Sequence, residues 1–479
     1  MGGGLALVSR NRRRVSRLPP GAGYRTRRRS RRDCVLEIVP IPPEAVVAGA
    51  GIAGCAAAVS LAYRGTRTLL LDPNPDQPRR FAGEWLHPPG VRELERLGVD
   101  FSKIPHARGK GFAIFFPGDP APIVLPYPQG EESLSFEHSR LLALMRERVD
   151  EVPGIEFSPG GKFCGVQGSV TRYKLADSDE IRCSRGALVV GSDGKASAVR
   201  RIFDPGSESR VVSHMAGLLV DDLELTIEGF AHVLIGAPGP VLVYRIGERK
   251  VRVCFDVPSS LLSSCRSGSG LWSAYGAVFP QSMRASVQRA LEGRRVQWAA
   301  NRIRNRDWYG QDSVALVGDA AGHTHPLSAC GMTLALLDAE CLGRVATVSE
   351  YVRERQARTR VPEIVSHVLY RVMSDDDPGS VTLRHGLRRL WRTDPVLAGR
   401  AMRLLTTEET GLAAFSRIFL GGVSAALNEL GRSSARQSIG STAADFAGLV
   451  AFARWLIGDL AMRPASSSLG HGPVARATA

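Results

Sequence analysis

No Cys-x-x-Cys pair occurs among the eight cysteines of this 479-residue chain, and no cysteine–histidine cluster has zinc spacing. That argues against a disulfide scaffold and a structural metal, and the scattered thiols fit a reducing compartment. No uncharged apolar run reaches the roughly 20 residues needed to cross a bilayer. Leu412–Leu427 contains Arg417, and Ala443–Met462 contains Asp445, Arg454 and Asp459. The mean hydropathy of −0.06 excludes a polytopic membrane protein, and 44% hydrophobic residues exclude a wholly disordered one. Neither a Ser-His-Asp set, nor paired carboxylates, nor an internal repeat stands out. His323 and His325 lack a third ligand at recognisable spacing, so no metal is expected.

Positive charge is abundant, at 62 Lys+Arg against 47 Asp+Glu, giving +15. Its location weakens a nucleic-acid reading. Residues 1–40 hold eleven arginines, no lysine and only two acids, Asp33 and Glu37, so this segment carries +9 and the rest of the chain +6. It lacks periodicity and is expected to be disordered over 1–42. Three readings stand: a solvated arm or misassigned start, a transit-like segment, or an arm for nucleic acid or acidic lipid. Arg31-Arg32 resembles a twin-arginine signal, but Pro40, Pro42, Pro43 and Glu44 interrupt any apolar stretch after it.

Order is expected from Ala45-Val46-Val47-Ala48, a short apolar run typical of a buried parallel strand. Gly49-x-Gly51-x-x-Gly54 follows at once, then a helical Cys55–Ala62 stretch and a second strand ending at Asp72. In this setting Gly49 makes the turn, Gly51 admits a pyrophosphate, Gly54 lets helix and strand pack, and Asp72 accepts from a ribose hydroxyl. The pattern predicts a dinucleotide site without choosing the dinucleotide. Two further strand exits, Gly191-Ser192-Asp193-Gly194 and Gly318-Asp319-Ala320-Ala321, place carboxylates where they can accept sugar hydroxyls.

Those paired exits resemble the flavoprotein monooxygenase family. A narrower resemblance lies in Arg80-Phe81-Ala82-Gly83-Glu84-Trp85-Leu86-His87-Pro88-Pro89-Gly90 and in His325-Pro326-Leu327-Ser328-Ala329-Cys330-Gly331-Met332-Thr333. Both are similar to conserved segments of squalene epoxidases, and the likeness runs with gaps from about 45 to about 425. It implies an α/β fold: a Rossmann-like FAD-binding domain with an inserted antiparallel β-sheet substrate domain and a helical C-terminal region. The expected division is an extension over 1–42, an FAD domain over 43–345 with insertions near 105–130 and 205–305, a helical region over 346–463, and a disordered tail over 464–479.

The resemblance implies that Ile52 and Ala53 contact the pyrophosphate, that Asp72 and Pro73 hold ribose, and that Arg80, Trp85 and Arg146 lie along FAD. Asp193 would bridge both nucleotides, while Gly318, Asp319, Gly331 and Met332 would flank the isoalloxazine end. Three departures touch the substrate end. Phe112 stands where the family has a tyrosine, and His87 replaces a glutamine; Ala329 and Cys330 replace loop glycines. Phe112, His325, Pro326 and Leu327 are therefore the substrate-site candidates.

The expected activity is FAD-dependent insertion of one oxygen atom from O2 into a lipophilic, isoprenoid alkene through a flavin hydroperoxide. The alternatives on the same fold are a prenyl (geranylgeranyl) reductase and an aromatic or polyketide hydroxylase. A third reading is a basic nucleic-acid-binding protein, which the charge distribution disfavours. The resemblance implies NADPH as ultimate electron donor, and because no second G-x-G-x-x-G is evident for it, reduction is expected at a shared site or through a separate reductase. The expected location is cytoplasmic or peripheral on the cytoplasmic side of a membrane, reached through the C-terminal helices. No nucleic-acid partner is expected.

Overall fold

In the computed structural model, residues 43–74, 81–176, 178–204, 209–433 and 439–461 are described. The arginine-rich arm 1–42, Arg80 and the tail 464–479 lie outside them. A six-stranded sheet runs in the order Gly310–Gln311, Val314–Leu316, Leu188–Gly191, Ala45–Ala48, Thr68–Asp72 and Ile155–Pro159. All pairs are parallel except the first. Ala45–Ala48 lies mid-sheet and is buried throughout, which is why its sequence is continuously apolar instead of alternating. The helix Ile52–Tyr63 packs on Gly331–Arg344. Small residues permit the approach: a Cβ on Gly343 would come within 2.7 Å of the Ser60 Cβ.

The runs expected to form an inserted sheet build a seven-stranded one. Its order is Gln297–Ile303, Arg210–Asp221, Lys250–Pro258, Val241–Arg245, Phe230–Leu234, Gly111–Phe115 and Ile123–Pro126. Its pairs are antiparallel except Phe230–Leu234 with Gly111–Phe115. The two-residue side-chain period sorts the strands cleanly. Val251, Val253, Phe255 and Val257 enter the cluster capped by helices Gly268–Tyr275 and Gln281–Gly293. Cys254, Tyr244 and Met215 face the other cluster, shared with the C-terminal helices. Both capping helices escape the sequence reading, the first because Ser267-Gly268-Ser269-Gly270 looks like a loop. Ser267 is in fact an N-cap, its Oγ accepting from the Gly270 N–H at 3.0 Å.

The helical region runs from Gly331 to Ala461. Thr347 and Glu350 form a capping box, and Asp377 and Asp394 cap helices that begin with proline. The helices Leu412–Ser433 and Ile439–Ala461 are buried on one side through Phe415, Ile418, Phe452 and Leu456. On the other side Leu412, Leu420 and Leu427, and Phe446, Val450 and Ile457, are exposed at helical spacing. Among the described residues no helix is long and apolar enough to cross a membrane.

One buried ion pair ties the Gly83–Leu86 segment to the large sheet. Arg252 donates to both Glu84 carboxylate oxygens at 2.7 Å, each side chain 4% exposed, and its guanidinium lies over the Phe81 ring. Removing one charge strands the other in a dry site. Glu84→Gln is expected to cost about 3–5 kcal/mol, read as a lower denaturant midpoint. Glu84→Asp, which keeps the charge, should cost less.

Candidate functional site

The first wall of the site is the turn after Ala45–Ala48. Gly49 adopts φ +104°, and a Cβ there would lie 2.8 Å from the Asp193 Cα. Gly54 is packed equally tightly, since its Cβ would fall 1.8 Å from the Gly49 carbonyl oxygen. Gly51 differs: a Cβ there would meet nothing within 4 Å, and no side chain caps the helix that follows. The first-turn N–H groups of Ile52, Ala53 and Gly54 are therefore left without a side-chain cap beside this open face, with the helix's partial positive charge behind them.

Asp72 closes this turn. Its Oδ2 accepts from the Ala50 N–H at 2.9 Å and from Arg146 Nη2 at 3.0 Å, and its Oδ1 accepts from the Asn74 N–H. Arg146 Nε also donates to the Ala50 carbonyl. Arg146, expected along the cofactor, thus braces the fingerprint turn through Asp72, and Pro73 is exposed at the strand end.

The second wall joins the other two strand exits. Asp193 Oδ2 accepts from the Ala198 N–H at 2.6 Å, at the start of the helix Ala198–Phe203, while its Oδ1 is buried without a partner. Gly318 sits between the N-terminal parts of two helices, since a Cβ there would lie 2.8 Å from the Ala53 Cβ and 3.3 Å from the Ala335 Cβ. Its N–H donates to Asp338 Oδ2 at 2.8 Å, and Asp338 also receives Arg306 and, at 2.7 Å, Arg355 Nε. Asp338 is fully buried. Sequence reasoning missed it; the available signal was a lone acid inside Thr333-Leu334-Ala335-Leu336-Leu337-Asp338-Ala339. Asp319 projects from this turn half-buried, and Gly331, exposed, opens the uncapped helix Gly331–Arg344 beside Met332.

Aromatic side chains form the third wall. Trp85, expected along the cofactor, sits in a cluster with Phe112 at 5.7 Å and Tyr244 at 5.6 Å between ring centroids. Trp85 Nε1 donates to the Tyr127 hydroxyl, which lies 2.9 Å from His87 Nδ1; His87 Nε2 lies 2.9 Å from the Ser328 carbonyl oxygen. Leu327 and Ala329 reach the same apolar cluster. Burial pushes the His87 imidazole down to about 4, and His232 and His323 likewise. Such histidines are neutral in the fold, whereas the unfolded chain takes up a proton near pH 6.5. Stability is complete above that pH and falls as the pH drops from about 6.5 toward 4. The share of His87 is on the order of 3 kcal/mol. Urea midpoints at pH 7 and pH 5 check this, and His87→Gln should show a shallower decline than the parent.

His325 organises the loop between these walls. Its Nδ1 accepts from the Leu327 N–H at 3.2 Å, and its ring stacks on Tyr370 with centroids 3.9 Å apart. His325 Nε2 lies 3.0 Å from Ser213 Oγ, which donates to Asp256 Oδ1 at 2.5 Å. A Ser-His-Asp contact invisible in the sequence thus exists, but the serine stands in the middle and gives its proton to the carboxylate. It is a structural chain, not a nucleophile. Behind it lies a cavity of about 540 Å³ bordered by Arg210, His325, His367, Tyr370, Arg371 and Trp455. Its border mixes charged side chains with Val212, Ile303, Tyr370 and Trp455. The described cysteines form no disulfide with one another, and the described residues contain no metal-ligand cluster.

These features fit a dinucleotide. The open face at Gly51, two uncapped helix N-termini flanking Gly318, and the unpartnered Asp193 oxygen are what phosphates and sugar hydroxyls require.

Comparison with known proteins gives a consistent picture. The family model described as SE: Squalene epoxidase matches residues 185–405. Squalene epoxidase erg1 of Aspergillus fumigatus is 28% identical over 383 residues, covering 73% of this chain and 79% of its own length. Squalene epoxidase 3 of Arabidopsis thaliana is 32% identical over 311 residues, covering 61% and 58%. The chain spans a little over half the length of the plant and mouse relatives it matches. Among solved structures, PqsL of Pseudomonas aeruginosa in complex with 2-aminobenzoylacetate superposes with TM-score 0.60 at 21% identity, covering 70% of this chain and 97% of that one. The flavin-dependent brominase Bmp2 gives TM-score 0.64 at 13% identity, covering 82% and 100%. The α/β architecture with its helical C-terminal region is that of these structures.

Proposed function

We infer, for a chain that is an oxidoreductase related to the squalene epoxidases within the flavoprotein monooxygenase family, FAD-dependent insertion of one oxygen atom from O2 into a lipophilic, isoprenoid alkene. The observation that carries the reading is the position of Gly318 between Ala53 and Ala335, which brings two uncapped helix N-termini to one crevice. Bound FAD, once reduced, supplies the activation of O2 and the transfer of oxygen.

The chain's own part is binding, orientation and exclusion of water. The N–H groups of Ile52, Ala53 and Gly54 hold the pyrophosphate, and Asp72 and Pro73 border the ribose. Asp193 and Asp319 accept from sugar and ribityl hydroxyls. The N-terminus of Gly331–Arg344, beside Met332, stabilises negative charge on the ring system. The substrate lies toward Phe112, Trp85 and Leu327, with Pro326 next to Leu327 in sequence, because those three belong to the apolar cluster that extends to the C-terminal helices. That wall offers no ready proton. Burial raises the Tyr127 phenol and keeps His87 neutral, so neither gives up a proton readily near neutral pH.

Electrons come ultimately from NADPH, directly or through a separate reductase. The exposed stripes Leu412–Leu420–Leu427 and Phe446–Val450–Ile457 suit a lipid surface on the cytoplasmic side, from which such a substrate would be drawn. The test is product analysis of the yellow holoprotein with NADPH, a reductase and a panel of squalene, other polyenes and aromatics. Oxygen uptake with a polyene product heavier by one oxygen is expected. Saturation of an alkene without oxygen uptake would make it a prenyl reductase.

A further inference from the structure

Phe112 and His87 are the positions where this chain loses the tyrosine and the glutamine of the squalene epoxidase pattern. They are far apart in sequence, yet their rings lie 6.1 Å apart, and both contact Tyr127, at 6.1 Å and 5.9 Å. We propose that Tyr127 supplies the hydroxyl that Phe112 lacks, and that with His87 it positions the loop Pro326–Ala329 against the reacting edge of the flavin. The proposal rests on the FAD-monooxygenase reading above.

The chemistry of the partners sets the donors and acceptors. The Ser328 carbonyl can only accept, so His87 Nε2 carries the ring proton and donates to it. His87 is neutral, so its Nδ1 is an acceptor, and the Tyr127 O–H must donate to it. The Trp85 indole can only donate, so it donates to the Tyr127 oxygen. One directed chain therefore runs Trp85 → Tyr127 → His87 → Ser328. Every link is 2.9 Å long, and all four residues are buried.

The chain joins three pieces of backbone that nothing local holds together. Trp85 and His87 belong to one piece, the strand Trp85–Leu86 and the residue before the helix Pro88–Arg96; Tyr127 follows Ile123–Pro126 at the edge of the large sheet, and Ser328 lies on the third. Ser328 ends the turn Pro326–Ser328, and Ala329 after it is held at φ +51°, a conformation that needs external support. Trp85 also packs edge-on to Tyr244, so the chain is anchored at its far end in the substrate-side cluster. Tyr127 is thus a positioning residue acting through His87 and Ser328.

The experiment compares the parent holoprotein with Tyr127→Phe and with the triple variant F112Y/H87Q/Y127F, which restores the family's pair. Nitrogen-15 NMR of the histidine rings, with His87 assigned by its loss in H87Q, first reports the tautomer in protein stripped of flavin. The parent should show His87 neutral with its proton on Nε2 from pH 5 to pH 8. In Y127F, flavin content is expected to stay near that of the parent. The fraction of consumed NADPH that appears as oxygenated product should fall about tenfold, with hydrogen peroxide making up the difference. The triple variant should recover most of that loss. A proton on Nδ1 in the parent would overturn the proposal, as would unchanged coupling in Y127F or a triple variant no better than Y127F. If Y127F proves too unstable to hold flavin, the tautomer and the triple variant's coupling decide. A parent with the Nε2–H tautomer but no oxygenated product would instead refute the functional reading while leaving the hydrogen-bond chain intact.

Discussion

Asp338→Asn lowers the stability of the fold by about 3–5 kcal/mol and yields protein that no longer retains its flavin. The substitution keeps the shape of the side chain and removes only its charge. Asp338 is fully buried on the helix Gly331–Arg344 and neutralises Arg306 and Arg355, which are themselves 2% and 3% exposed in their side chains. Without it, the remaining carboxylate here is Glu363, which already accepts the Arg306 backbone N–H at 2.7 Å. Two guanidinium groups would then share a dry site with too little negative charge, and burial of unpaired charge is among the costliest defects a core can carry. The same carboxylate holds the Gly318 N–H, so the Gly318-Asp319 turn loosens with it. Denaturant titration and the flavin absorbance of the purified protein check both halves. A yellow variant with the parent's midpoint would contradict the account.

The second large effect separates folding from cofactor binding. Gly51→Val places its side chain in open space, so the protein folds, but the branched group occupies the approach to the N–H groups of the first helical turn. FAD affinity should fall at least about 100-fold, equivalent to roughly 2.7 kcal/mol, with little change in the stability of the flavin-free protein. Gly54→Val does the opposite. Its Cβ would sit 1.8 Å from the Gly49 oxygen and 2.6 Å from Ser192 Oγ, so helix and sheet cannot close and the chain should fail to fold. Equal behaviour of the two variants, in either direction, would mean the open face at Gly51 is not the phosphate side.

The readable parts of this fold are those whose signals are local. Strand, Gly49–Gly54 turn, helix and Asp72 lie within about 30 residues, the usual span of such a unit, and each residue type states its own reason for being there. The seven-stranded sheet was visible as short runs between turn residues, although not the order in which its strands pair. The missed elements depend on long-range partners. Asp338 reads as a helix-interior acid until Arg306 and Arg355 are brought to it. The serine–histidine–carboxylate contact joins positions 213, 256 and 325 from three separate segments. Tyr127 gave no signal at all, because its meaning comes from His87, 40 residues away, and from a hydroxyl absent at Phe112. Arg146 is expected along the cofactor from the resemblance alone, and its pairing with Asp72 belongs to tertiary structure.

The central claim is that reduced FAD held in this crevice delivers one atom of O2 to a lipophilic alkene. Its most direct test is incubation of the holoprotein with NADPH, a reductase and squalene under oxygen-18 gas, with mass analysis of the product. The account predicts a product carrying a single heavy oxygen atom, formed with consumption of the gas and lost in Gly51→Val. Unlabelled or hydrogenated product, or protein that cannot be reconstituted with FAD, would contradict it.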